Sequence, residues 1–206
     1  LYCFPVYAYG TEAQKMKYLK PCASGEYLGC YGLTEAGAGS DPAGMRTTAV
    51  KDGDQWIING EKKFITNGNV ARYAVIAAVT DKEKGYKGIS TFVVDRENTP
   101  GFKVGRVEEK MGILASGTAE LIFEDARLPA DALLGKEGEG FKQMLTTLDG
   151  GRIGIASQAI GIGRSVLEDS VEYARTREQF GKPISAFQAI QWKLADMATE
   201  LDAAEL

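Results

Sequence analysis

Short apolar runs and strict alternation dominate the middle of the chain, and a helical period takes over toward its end. Between Tyr27 and Leu128 the runs are short and either apolar or alternating: Trp56 to Ile58, Tyr73 to Val79, Ile89 to Asp95, Phe102 to Val107 and Ala119 to Phe123. Turn residues separate them, which predicts strands. Asn59-Gly60 falls between two such runs and predicts a two-residue hairpin, because a type I′ turn needs positive φ at both central positions. Strands in series with no helix between them imply an antiparallel sandwich or barrel.

Helical signals flank this region. Thr11 and Gln14 form a capping box for a helix over residues 12–19, which Pro21 is expected to stop. After Leu134, Phe141, Met144, Leu145 and Leu148 share one helical face, and Asp149-Gly150-Gly151 predicts a break. Ile153, Ala156, Ala159, Ile160, Val166 and Leu167 line a second helix reaching about Ala174, and Gly181-Lys182-Pro183 ends it. Phe187, Ile190, Leu194, Met197 and Leu201 line a third. The fold class is therefore α+β: a β-sandwich or barrel, then the first helices of a bundle, after a short helical lead-in. Residue 1 is not methionine, and the last helix stops without a cap, so a fragment of a longer protein is expected.

Composition narrows the chemistry. Hydrophobic residues are 44% and charged residues 25%, a soluble balance, and no run approaches the roughly 18 apolar residues of a membrane span. A net charge of -4 argues against general nucleic-acid or anionic-membrane binding. The absence of histidine removes His-based triads and His-ligated metals. Cys3, Cys22 and Cys30 lack metal spacing and read as free thiols in a reducing compartment.

Four segments can carry chemistry. In Tyr31-Gly-Leu-Thr-Glu-Ala-Gly-Ala-Gly-Ser40-Asp41, Gly37 and Gly39 leave the backbone bare to a flat ligand, and Thr34 and Ser40 add hydroxyls. It is neither a P-loop nor a dinucleotide fingerprint, and alone it is a Gly-rich turn. In Lys63 to Gly68, alternation puts Phe64 and Thr66 on one face, where a ring and a hydroxyl can meet a planar ligand; alone it is a strand ending in a turn. Asp149 and Arg152, in Leu148 to Gly154, are either contacts for a polar ligand or a surface ion pair at a helix start. Arg177 is either a ligand contact or a helix-end cation. Gln188 is either a ligand contact or the partner of Ser185 in a capping box.

As an ordered set, YGLTEAGAGSD, FITNG, LDGGRIGIA and TREQFGKPISAFQAIQ resemble the acyl-CoA dehydrogenase family, closest to its short-chain, butyryl-CoA branch. The resemblance runs from about Gly10 to the end of the chain. It implies that residues 1–25 are the remnant of an N-terminal helical domain, 26–134 a middle β-domain and 135–206 the start of a C-terminal helical domain. FAD would be bound by Tyr31, Leu33, Thr34, Gly39, Ser40, Phe64, Ile65 and Thr66, with Arg177 and Gln188 reaching it across a subunit interface. Ser40, Asp149, Gly150, Gly151 and Arg152 would contact the acyl-CoA.

The implied reaction is FAD-dependent α,β-dehydrogenation of a short-chain acyl-CoA to the 2-enoyl-CoA, with electrons passed to an electron-transferring flavoprotein. A homo-oligomer is implied, and either a bacterial cytoplasm or a mitochondrial matrix. Two departures qualify the match. Leu114 stands where relatives often have arginine, and Gly151 stands where a minority branch carries its catalytic glutamate. No catalytic base is therefore assigned here, and the base is expected beyond Leu206. An acyl-CoA oxidase, an enoyl-CoA reductase, a non-catalytic acyl-CoA-binding module and a cofactor-free β-sandwich interaction protein remain alternatives.

Overall fold

A computed structural model describes residues 1–206. Contacts divide it into two units, Leu1–Leu148 and Asp149–Leu206.

The first unit opens with α1 (Cys3–Tyr9), α2 (Glu12–Gln14), a π-helical turn (Lys15–Leu19) and α3 (Lys20–Ala23). The Thr11–Gln14 capping box forms, both bonds present. Pro21 does not stop the helix, which runs on to Ala23. The wider π turn, with Lys20 N–H bonded five residues back to the Lys15 carbonyl, precedes the proline and accommodates its missing donor.

Eight strands follow: β1 (Gly29–Gly32), β2 (Thr48–Asp52), β3 (Gln55–Thr66), β4 (Tyr73–Val79), β5 (Ile89–Asp95), β6 (Phe102–Val107), β7 (Thr118–Pro129) and β8 (Leu133–Leu134). They form one sheet in the order β6-β7-β3-β2-β4-β5-β8, with β1 beside β4. Pairing is antiparallel except for β1 on β4 and a single parallel bridge, Thr48 to Val79. The predicted antiparallel middle region is thus present, with one parallel strand added. One core joins the inner faces of β3 and β7 (Trp56, Ile58, Leu121, Phe123) to Ile76, Phe92 and Val94 of β4 and β5. The opposite faces of β4 and β5 pack Val75, Ala77 and Val93 against Tyr2, Val6, Tyr18 and Met144. Burial on both faces explains why β4 reads as an unbroken apolar run and why β5 buries Ser90 and Thr91 along with its apolar residues.

The hairpin is not at Asn59-Gly60. β2 and β3 turn at Gly53-Asp54, with Asp52 opposite Gln55 and Gly53 at φ 58. Asn59-Gly60 lies inside β3, at a bulge whose extra residue belongs to β7. There Asp125 takes φ 49, its N–H donates to Asn59 Oδ1 at 2.8 Å, and Asn59 Nδ2 donates back to its carboxylate at 3.0 Å. Gly60 has φ 141, and a Cβ there would come within 2.7 Å of Thr47 Cα. Glycine is demanded by the close approach, not by a turn.

Helix α4 (Gly140–Thr176) runs unbroken through Asp149-Gly150-Gly151, contrary to the predicted break, so Arg152 lies inside a helix rather than opening one. Each glycine costs a helix only about 1 kcal/mol relative to alanine, which 37 helical residues absorb. In the second unit a two-residue hairpin joins β9 (Glu178–Gln179) to β10 (Lys182–Pro183), and α5 (Gln188–Glu205) follows. Within this unit α5 meets α4 where a Cβ on Gly163 would sit 2.7 Å from Leu201 Cδ2, and Arg164 pairs with Glu205. No side chain caps α5: its cap residue is Phe187, and the carbonyl of Ser185 accepts from Gln191 Nε2 instead. The Ser185–Gln188 capping box is therefore not formed.

Candidate functional site

Two of the predicted segments meet in the first unit. β1 carries Tyr31, and the chain leaves it through Leu33 and Thr34 alongside β3. Lys63 N–H donates to the Thr34 carbonyl at 2.8 Å, one residue before Phe64. Tyr31 is half-buried, and its hydroxyl donates to the Met144 carbonyl at 2.8 Å. Beyond Thr34, reciprocal backbone bonds between Glu35 and Ala38 close a tight turn. Gly37, Gly39 and Ser40 stand on the exposed loop that follows. A Cβ on Gly37 or Gly39 would meet nothing within 4 Å, and neither glycine has positive φ. Neither packing nor backbone conformation in this chain demands glycine there.

A second bulge, with its extra residue on β3 between Lys62 and Ile65, shapes the other segment. Ile65 stays in the core, while Phe64 takes φ 59 and leaves its ring 61% exposed. Left-handed backbone costs a bulky residue about 1–2 kcal/mol, and an exposed ring returns no burial to offset it. Simple alternation does not hold across the bulge, yet Phe64 and Thr66 are both exposed on either side of buried Ile65. The segment ends in a turn in which Asn67, at φ 64, donates to the Gly117 carbonyl at 2.8 Å.

A buried ion pair joins the two segments, and the sequence reading missed it. Lys62 is fully buried; its Nζ donates to Glu35 Oε1 at 2.7 Å and to the Leu33 carbonyl at 3.2 Å. The Glu35 carboxylate also accepts from Arg46 N–H at 2.6 Å and Thr47 N–H at 3.1 Å. Burial would raise the Glu35 carboxyl, but the Lys62 charge and these donors outweigh it and hold the carboxyl below the usual range. Burial pulls the Lys62 ammonium down, and Glu35 offsets this only in part. The signal was available: Trp56, Ile58 and Lys62 share one strand face by period two, which puts a lysine in the core.

The remaining candidates belong to the second unit. Asp149 and Arg152 form an exposed i,i+3 ion pair within α4, and Gly150 has open space beside it. Gly151 is partly buried. Arg177 follows the end of α4, its N–H bonded to the Tyr173 carbonyl at 2.8 Å, and Gln188 is the first residue of α5. Both are on this unit's surface: Arg177 is exposed and Gln188 lies beside Phe187 at the helix cap. Sequence reading also missed Phe180. It shares the signature of Phe64, with φ 56 and a ring 91% exposed, at the tip of the β9–β10 hairpin. The cysteines are free; burial pushes the Cys22 thiol up to about 11 and Cys30 up to about 12, so both stay protonated near neutrality.

Family comparison covers both parts of the chain. The acyl-CoA dehydrogenase middle domain matches residues 30–126, and the acyl-CoA dehydrogenase C-terminal domain matches residues 138–206. The short-chain specific acyl-CoA dehydrogenase of Megasphaera elsdenii is 51% identical over 97% of this chain and 52% of its own length. The NADH-dependent acryloyl-CoA reductase of Anaerotignum propionicum is also 51% identical, over 97% of this chain and 51% of the relative. A glutaryl-CoA dehydrogenase of Mycobacterium smegmatis, solved in complex with FADH2, superposes with a TM-score of 0.90 at 44% identity, covering 98% of this chain and 50% of that one. The chain thus spans about half the length of these relatives.

Proposed function

The chain belongs to the acyl-CoA dehydrogenase family, and from that membership we propose that it forms the cofactor-facing part of a short-chain acyl-CoA dehydrogenase. On this reading residues 26–134 are the middle domain, 135–206 open the C-terminal domain, and 1–25 end an N-terminal one. The net reaction takes one hydrogen from each of the α and β carbons of an acyl-CoA. Bound FAD supplies the two-electron acceptor chemistry that no side chain here provides.

The observation that carries the reading is Phe64, an aromatic ring held outward by a strained backbone in a bulge of an otherwise well-packed strand. Its ring offers a stacking face, and the exposed Thr66 hydroxyl beside it can donate to the edge of the same group. Tyr31, Leu33, Thr34, Gly39, Ser40 and Ile65 frame that face through backbone and hydroxyl groups, with Ser40 also toward the thioester. Asp149, Gly150, Gly151 and Arg152 contact the acyl-CoA. Arg177 and Gln188 serve a cofactor held by a neighbouring copy, where a guanidinium suits a pyrophosphate and a fixed amide adds orientation. The base that removes the α-proton comes from the part of the relatives that this chain does not span. Electrons then pass to an electron-transferring flavoprotein, in a cytoplasm or a mitochondrial matrix.

Anaerobic addition of butyryl-CoA to the complete FAD-loaded enzyme tests this. Bleaching of the flavin absorbance is expected. Retention of the oxidised spectrum, with FAD demonstrably bound, would overturn the dehydrogenase reading. The acryloyl-CoA reductase relative supports a second reading, the same scaffold run toward reduction. NADH-driven reduction of acryloyl-CoA by the enzyme would favour it.

A further inference from the structure

Loop 36–44 has two feet, and one lysine holds both. On the first foot Lys62 Nζ donates to the Leu33 carbonyl and to Glu35 Oε1. On the second, Met45 Sδ lies 3.9 Å from the same Nζ. Glu35 crosses between the feet, accepting from Arg46 and Thr47 N–H. Thr47 is pressed against β3, where Gly60 leaves room for it. Lys62 itself ends the regular part of β3, and the bulge that turns out Phe64 begins at the next residue.

An ion pair this deeply buried is a poor stabiliser. Desolvating two charges costs about as much as their attraction returns, and apolar pairs of similar volume often serve stability equally well. What the pair does supply is geometry. Its bonds fix the Gly-rich loop and the Phe64 bulge to a common point, and a neutral apolar pair would leave Leu33, Arg46 and Thr47 without that shared partner.

We propose that Glu35 and Lys62 are positioning residues that set the register between loop 36–44 and the Phe64 bulge, so that both meet one flat cofactor. This rests on the flavin reading above. Neither residue touches the cofactor; both act through the backbone they hold.

The test is the double variant Glu35→Gln/Lys62→Met in the complete enzyme. Glutamine keeps an oxygen for one of the Arg46 and Thr47 donors, which sit on different oxygens of the Glu35 carboxylate, and methionine matches the lysine stem without its charge. Melting temperature and far-UV circular dichroism report the fold. FAD titration of the apo-protein and the visible circular dichroism of the bound flavin report the site. A core variant, Val94→Ala, serves as the control for stability loss alone. The expected result is a folded double variant whose FAD dissociation constant rises tenfold or more and whose flavin dichroism changes, while Val94→Ala retains wild-type affinity and dichroism. A double variant that folds and binds FAD with wild-type affinity and dichroism overturns the proposal. So does one that fails to fold, since the pair would then be a stability element. Wild-type protein that binds no FAD would instead overturn the flavin reading itself, which keeps the two failures apart.

Discussion

The two units treat their apolar residues in opposite ways. Residues 1–148 bury theirs in two clusters, with Ile58, Ile76, Phe92, Leu121 and Met144 fully inside. Residues 149–206 show a regular helical period, yet Ala174 is the one residue that reaches the buried class. Ile153, Ile155, Ile162, Val166 and Trp192 are all exposed. A hydrophobic stripe is therefore a statement about what a helix can bury, and burial itself needs a second surface. Full burial of a large aliphatic or aromatic side chain is worth about 1.5–3 kcal/mol, so the first unit holds most of the folding free energy in this chain.

That contrast is open to direct attack. The largest effect should come from Phe92→Ala, which empties the core shared by β3, β4, β5 and β7. A loss of about 3–5 kcal/mol is expected in urea unfolding, against less than about 0.5 kcal/mol for Val166→Ala in this chain. Comparable losses from the two would erase the distinction. Next comes Arg177→Ala in the complete oligomer. If Arg177 contacts a pyrophosphate, about 1.5–3 kcal/mol is lost and FAD affinity falls roughly ten- to a hundredfold. A helix-end cation would instead lower the melting temperature slightly and leave the titration unchanged. Mixed oligomers should show the defect in the site that faces the mutant copy.

A smaller effect is expected of Thr66→Val. One hydrogen bond of about 0.5–1.5 kcal/mol should slow flavin reduction severalfold while FAD is retained. Equal reduction rates in variant and wild type would remove Thr66 from the reacting edge. The smallest effect concerns pH. The Glu35 carboxyl is held low in the folded state, so its contribution is present above the ordinary glutamate value of 4.5 and is lost as pH falls through the depressed one. Glu35→Gln should therefore flatten the acid limb of the stability curve, which denaturant titrations from pH 5 downward can resolve.

Much of the β region was legible because strand periodicity is local. The run from Tyr73 to Val79 and that from Ile89 to Asp95 became strands with the predicted ends. The misreadings share a cause: one local signal with two structural uses. Asn-Gly suits a type I′ turn, but a glycine is equally required where Thr47 crosses close to β3. Asp149-Gly150-Gly151 suits a break, but two weak helix formers cost less than ending α4. Pro21 suits a stop, but a π turn precedes it.

The candidate site was legible as residues and not as geometry. Phe64 and Thr66 are exposed on either side of buried Ile65, as alternation predicts, but the bulge that holds Phe64 at positive φ leaves no sign in the sequence. Glu35 and Lys62 lie 27 positions apart, and nothing local says that a lysine on the core face finds a carboxylate there. Positive φ at Phe64 and Phe180 is likewise invisible in sequence, because phenylalanine is a poor occupant of that region.

On the function proposed above, Phe64 is held outward for a flavin. Phe64→Gly in the complete enzyme tests it most directly, since glycine accepts φ 59 without strain and removes only the ring. Melting of the apo-protein and FAD titration are measured side by side. The apo-protein is expected to be at least as stable as wild type, with FAD affinity reduced roughly fivefold to tenfold by loss of about 1 kcal/mol of stacking. An apo-protein that is destabilised while FAD affinity stays at the wild-type value would contradict it.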